Sequence, residues 1–430
     1  MLIKKHDLTS GSITRGLWSF ALPLMLGNVL QQFYNLADTW VVGKYIGDNA
    51  LAAVGSSYTL LTFLTSVVIG LSLGTGSFIS MAFGRKQNDV IRSGIFMSAT
   101  LIFAVTLVIT GLFYALLDPI ISALLVPDEI TGDMHTYLAW VFVGFFATAL
   151  YNYVSNLLRS MGNSMAPLIF LGVSVVLNVG LDLLFVIPLG WGIAGAAAAT
   201  VIAQYASGIG ILIFFLAACP EYRPRRSDMK WNGRHFRSIL SLSGLTCLQQ
   251  SVMNLGILMV QAVVNSFGPV VMAAFAVAVK IDTIAYMPVQ DLGNAFSVFV
   301  AQNYGAERHD RIRSGIRQTI ASNAVFCAAI KCAGVRFRRT SHEPVRGRFQ
   351  RGNDSGGRAV PEDGGRVLHR HRHIVYAVRV LPRRQQAGDV RGSDCYLVGD
   401  ESPACECAFT HTGNRCFRHM DSYSDRVVPG

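Results

Sequence analysis

Two carboxylates stand in stretches of this chain where carboxylates are costly. Asp38 is the one charge between Leu17 and Val42, and Asp182 ends a run from Ser160 that is otherwise uncharged. Ionisable groups inside apolar spans are expensive and point to function before structure. Asp38 lies five residues before Gly43, roughly one and a half helical turns from that end of its helix. Asp182 lies six residues before Pro188, at a similar depth, with Asn178 four residues earlier on the same helix face. Thr200 sits about two turns inside the next apolar segment. Four polar groups from three helices therefore reach one level of a bundle. Embedded carboxyls exchange protons, and two of them with an amide oxygen also suit a small cation such as a transported Na+. The alternative is that Asp38 caps its helix or snorkels to the interface while Asn178 bonds a neighbouring helix.

Other polar residues lie in the same kind of segment. Gln31, Gln32 and Tyr34 share the helix of Asp38 and are candidates to line a cavity. Lys280 and Asp282 are two residues apart, so they do not share a face; they either line the cavity or pair with other helices. Pro23 and Pro288 are candidate hinges, because a mid-helix proline removes a backbone hydrogen bond; Pro167 is a third proline that can bend its helix. No phosphate-binding glycine loop with Lys-Ser/Thr, no HExxH and no nucleophile elbow occurs. An enzyme is not expected, and no cofactor or resident metal is implied.

The elements that hold these residues are apolar. Of 430 residues 51% are hydrophobic and 15% charged, with a mean hydropathy of +0.40. Soluble domains run nearer a quarter charged, so an all-α integral membrane fold is expected. About 20 apolar residues cross a bilayer. Charge-poor windows at 17–42, 50–83, 93–117, 136–158, 160–181, 183–219 and 238–279 mark the spans, the last breaking at Gly268-Pro269. An eighth helix continues to about Asn303 and a ninth begins near Ser314. The first run is long enough to span and lacks a small-residue cleavage pattern, so it reads as the first transmembrane helix and not a signal peptide. Cys219, Cys247, Cys327 and Cys332 lie in or beside apolar segments, and nothing reads as a secreted disulfide framework.

Loop charge sets the expected topology. With the N-terminus inside, one side of the membrane receives 17 Lys and Arg and the other receives Lys44 alone. That asymmetry predicts a multi-pass protein of the inner (cytoplasmic) membrane with a cytoplasmic N-terminus. An internal repeat agrees. Gly84–Ile95 returns 221 positions later as Gly305–Ile316, with seven of twelve residues identical, and both copies fall in cytoplasmic loops. Upstream, near the start of each half, the offset slips by three, pairing Leu30-Gln31-Gln32 with Leu248-Gln249-Gln250. Two parallel six-helix lobes, twelve helices in all, are expected. The division is 1–219 for the first lobe, 220–237 for a cytoplasmic connecting loop, and 238–331 for an incomplete second lobe.

Residues 332–430 break the pattern. They hold 17 arginines and no lysine, against seven lysines in the first 331 residues. Their Cys/His content and the run His369–His373 also fit a metal- or RNA-binding tail. The reading favoured is a frameshift near residue 331 that leaves a disordered tail. Met420-Asp421 requires ATG-GAY, which one nucleotide on reads TGG, tryptophan. Synonymous choices then allow Gly-Ile-Trp-Ile-Ala-Ile-Pro-Ile-Gly-Trp-Phe-Leu across Arg418–Pro429, a spanning-type segment.

The chain resembles the multidrug and toxic compound extrusion (MATE) family of membrane antiporters over about residues 10–330. The carrying stretches are Ala37-Asp38-Thr39 with Val41-Val42-Gly43, Ala50–Gly55, Leu177-Asn178 with Asp182 and Phe185, and Gly192–Ala197. In the second half they are Met287-Pro288, Gly293-Asn294-Ala295 and Gln302–Ala306 with Arg311 and Arg313. The resemblance implies two six-helix lobes that open alternately, and export of diverse, often cationic, organic compounds against H+ or Na+. It also implies a cation site at Asp38, Asn178, Asp182 and Thr200. Helices ten to twelve have no counterpart in this reading frame, so the copy is expected to be defective. The out-of-frame Gly-Ile-Trp segment looks like the start of the family's last helix. The expected partners are drug-like molecules, H+ or Na+ and lipid, with no nucleic acid. The alternatives are a lipid or polysaccharide-precursor flippase of related architecture and a membrane scaffold with a basic tail.

Overall fold

The computed structural model describes residues 7–330 apart from 124–127, 225–227, 229–230, 266–268 and 329. The expected frameshifted tail, 332–430, lies outside the described residues. The fold is all-α. Its helices are α1 (Ile13–Tyr45), α2 (Asp48–Gly84), α3 (Asn88–Ala115), α4 (Leu117–Ala123), α5 (Asp128–Val143) and α6 (Phe145–Ser160). They continue with α7 (Met165–Val186), α8 (Gly192–Ala218), α9 (Gly233–Asn265) and α10 (Pro269–Gly305). Residues 309–328 form a last helix, α11. It starts a turn before Ser314 because the chain reverses sharply at Glu307, whose φ of 58° is left-handed.

Why α2 and α10 stop where they do follows from that turn. Lys86 (φ 57°) and Glu307 (φ 58°) occupy equivalent places in the two repeat copies. The Lys86 and Gln87 N–H groups return to the Phe83 and Ala82 carbonyls at 3.0 and 3.1 Å. Glu307 and Arg308 repeat this on Tyr304 and Asn303 at 3.1 and 2.9 Å. These bonds satisfy carbonyls that a helix end leaves without partners. They offset a left-handed cost of about 1–2 kcal/mol for a residue with a Cβ.

The uncharged window 136–158 is two helices. The chain bends by 44° between α5 and α6 at Gly144, against which Gln204 of α8 is packed. The Val143 carbonyl freed by the bend accepts a hydrogen bond from the Tyr205 hydroxyl at 3.0 Å. Charge content alone carries no signal for this bend, since no charged residue marks it. Pro167, offered as a bend, stands at the third residue of α7, in the first turn, where proline costs little. Pro23 and Pro288 do lie inside α1 and α10, which run through them as single helices.

Among the described residues four helices (α2, α3, α7 and α8) are long and apolar enough to cross a membrane, or five with the α5–α6 pair as one span. At 33, 33 and 37 residues α1, α9 and α10 are long enough to span. Polar side chains lower their hydropathy, among them Gln31, Gln32, Asn35 and Asp38 in α1 and Gln249, Gln250 and Asn254 in α9. Helices of this kind border polar space inside a membrane protein and not lipid alone. The helices α1–α8 pack as one bundle, with α8 against α5, α6 and α7, and α1 against α7. From the second half α9 lies on α2, and α10 lies on both α1 and α2.

Candidate functional site

The structure brings Asp38, Asn178, Asp182 and Thr200 to one place, buried between α1, α7 and α8. Asp182 and Asn178 are fully buried, Thr200 is 4% exposed and Asp38 is 7% exposed. The Asn178 amide is oriented by its neighbours. With Nδ2 toward α7's own carboxylate it donates to Asp182 Oδ2 at 3.0 Å, and its oxygen accepts from the Thr200 N–H at 3.3 Å. The four-residue spacing of Asn178 and Asp182 is what permits the first contact. Thr200 comes from α8, whose alanine-rich start (Ala196–Ala199, all buried) allows α7 and α8 to approach closely.

The two carboxylates act on each other electrostatically. Asp38 Oδ1 and Asp182 Oδ1 are both buried without a hydrogen-bond partner among the described residues. Buried acceptors without a protein partner are uncommon, and a proton, a water or a cation satisfies them. The donor set is two carboxylates, an amide and a hydroxyl, all hard oxygen donors once Asn178 turns its oxygen inward.

Tyr34, expected as a cavity residue, is part of this cluster. Its hydroxyl lies 3.3 Å from Thr200 Oγ1 and within electrostatic range of Asp38 and Asp182. Tyr137 of α5 was not legible as a site residue. It is 6% exposed and interacts electrostatically with Asp38, Asp182 and Tyr34. A lone tyrosine in an apolar window carries no spacing signal; only the fold brings α5 alongside. Gln31 and Gln32 are exposed and lie outside the cluster. Lys280 and Asp282 fall on α10, but their side chains lie outside the described ones.

Apolar helices that bury paired carboxylates away from lipid are the build of a multi-pass membrane transporter. A family model described as MatE matches residues 23–184 and 246–340, and the chain belongs to that family of multidrug efflux transporters. It is similar to the probable multidrug resistance protein YpnP of Bacillus subtilis, 30% identical over 315 residues, covering 72% of this chain and 69% of the relative. It is also similar to the probable multidrug resistance protein NorM of Thermotoga maritima, 26% identical, covering 71% and 66%. An outward-facing structure of a multidrug resistance MATE family transporter of the MOP superfamily shares the fold, with a TM-score of 0.71 at 22% identity, covering 76% and 73%.

Proposed function

We propose that the protein exports organic, often cationic, compounds in exchange for H+ or Na+, and that Asp38, Asp182, Asn178 and Thr200 hold the driving ion. The observation that carries this is the pair of buried carboxylates whose Oδ1 atoms lack partners. Two such groups in mutual electrostatic range repel unless a proton or small cation lies between them. Binding that ion favours one arrangement of the helices, and binding a drug favours the other. Coupling needs only that each ligand prefer a different arrangement. The residues divide into lobes at 1–219 and 238–331, with the N-terminus and both repeat copies on the cytoplasmic side of the inner membrane.

This copy is proposed to be defective through a frameshift. Supporting it, lysine-free, arginine-rich text begins at residue 332, and the family match ends at residue 340. The test uses the chain and a frame-restored form in a drug-sensitive host. Ethidium efflux driven by an imposed pH or Na+ gradient is expected from the restored form and not from the chain as it stands. Asp38→Asn in the restored form should abolish coupled efflux. Normal efflux by that variant would remove Asp38 from the mechanism.

A further inference from the structure

The two copies of the repeated stretch meet each other. A Cβ added at Gly84 would strike the carbonyl oxygen of Gln302, and one added at Gly305 would strike that of Met81. The two contacts exchange under the 221-residue offset, so α2 and α10 cross backbone to backbone about a local pseudo-twofold axis. Only residues without a Cβ permit that approach.

Each copy also grips the segment that leads into the first helix of the other half. Just ahead of the second copy, Asn303 Nδ2 donates to the Leu8 carbonyl at 3.1 Å, and from the copy itself Arg308 Nη1 donates to the Thr9 carbonyl at 2.7 Å. Arg311 donates to the carbonyls of Ser10 and Gly11 at 2.7 and 2.8 Å and shares that of Leu8 at 3.3 Å. Four successive carbonyls before α1 are thereby taken. Leu8, 3% exposed, is packed with Leu292, Ala295 and Phe299 of α10. From the first copy, Arg92 pairs with Asp228 at 2.9 Å and donates to the Glu221 carbonyl at 3.3 Å, in the segment leading to α9.

We infer that the Gly84–Gly305 crossing is a gate that closes this end of the molecule, and that Leu8–Gly11, pinned by Arg311, is its bolt. In the orientation proposed above this is the cytoplasmic end, and the assignment as a gate rests on the alternating-opening reading. The physical argument is the kind of contact involved. Backbone-to-backbone packing is lost outright when the helices part, so the closed state is discrete. The bolt is made of charge-assisted hydrogen bonds to bare carbonyls, which water replaces when they separate. Arg311 is a positioning residue; it acts through the segment it holds.

The test labels the gate directly. Lys86 and Glu307 are both exposed and line the mouth of a cavity of about 640 Å3 beside the crossing. Spin labels at Lys86→Cys and Glu307→Cys, in the full chain with native cysteines replaced by alanine, are expected to give one short distance. Gly84→Ala or Gly305→Ala should deplete it in favour of a longer one. Gly293→Ala, on the same α10 with nothing within 4 Å of its added Cβ, should not. Arg311→Ala should shift the closed-to-open ratio by about tenfold or more, the worth of one charge-assisted hydrogen bond. It should also let a maleimide reach Leu8→Cys, which is shielded otherwise. Gly84→Ala and Gly305→Ala distributions that match Gly293→Ala would overturn the gate. If those variants fail to insert, Arg311→Ala decides alone: an unchanged distance and no added labelling sink the inference. A gate that opens and closes while the frame-restored form exports nothing would count against the transport reading and leave the gate standing.

Discussion

The two halves cross at a pair of equivalent places, and the chemistry at the two is opposite. Where α9 lies on α2, Gly70 faces the backbone of Cys247, and an added Cβ would stand 2.5 Å from its Cα and 2.9 Å from its nitrogen. Gly74 meets Ser243 in the same way, and the Ser243 hydroxyl donates to the Leu71 carbonyl at 3.0 Å. One repeat later, where α10 lies on α1, the position of Gly70 is held by Asp291. Its carboxylate is 3% exposed and accepts from Asn28 Nδ2 at 2.7 and 2.8 Å, with Arg159 in electrostatic range. One crossing is closed by deleting side chains and the other by a polar pair. Parting the first exposes apolar surface and gains little from water. Parting the second returns a carboxylate and an amide to solvent, which repays much of the lost contact. Of these two crossings, α1–α10 is therefore the less costly to part.

Substitutions that exchange the two chemistries test this difference. Gly70→Asp forces a carboxylate into the Cys247 backbone and should cost more than about 3 kcal/mol, seen as failure to accumulate in membranes. An Asp there that melts like the parent chain would show that the α2–α9 crossing can yield. Asp291→Ala strands the Asn28 amide and Arg159, so thermal melting in detergent should fall by the equivalent of about 2–3 kcal/mol. Adding Asn28→Ala should then cost little more, because the pair is already broken; full additivity would mean the two do not act together. Arg92→Ala removes the partly buried Asp228 pair and should cost about 1 kcal/mol. Asp89→Asn should leave melting unchanged, since the Asp89 partner of Arg92 is 87% exposed.

The smallest effect belongs to the bolt. Burial raises the Asp7 pKa, but the hydroxyl and N–H of Thr9, the Ser10 hydroxyl and the Lys86 charge outweigh it, and the result is lowered. A carboxyl depressed on folding stabilises above its unfolded pKa and loses that contribution as pH falls through the folded one. The longer spin-label distance should therefore gain slightly at the expense of the short one below about pH 4. Asp7→Asn should remove the pH step; a step that persists would assign it to another group.

Much of the architecture can be read from local pattern. Charge-poor windows locate α1–α3 and α7–α10 because an apolar span and a charged loop differ in every residue. The i, i+4 spacing of Asn178 and Asp182 places both on one face before any fold is known. The α5–α6 bend is silent in composition, because Gly144 and its neighbours are uncharged on both sides of it. Tyr137 is silent for a different reason: its role depends on which helix lies next to α1.

By itself the sequence determined the apolar helices, the repeat, the costly carboxylates and the family to which they belong. Each is written in residue type and near spacing, where transfer energy and helical geometry act directly. Only the tertiary structure decided that the repeat copies meet at Gly84 and Gly305, and that each clasps the other half's leading segment. The same holds for Asp291, which faces Asn28 where its counterpart Gly70 faces bare backbone. Those contacts join residues from 129 to 303 positions apart, and no local propensity encodes them. They exist because helix packing brings those groups within reach of one another.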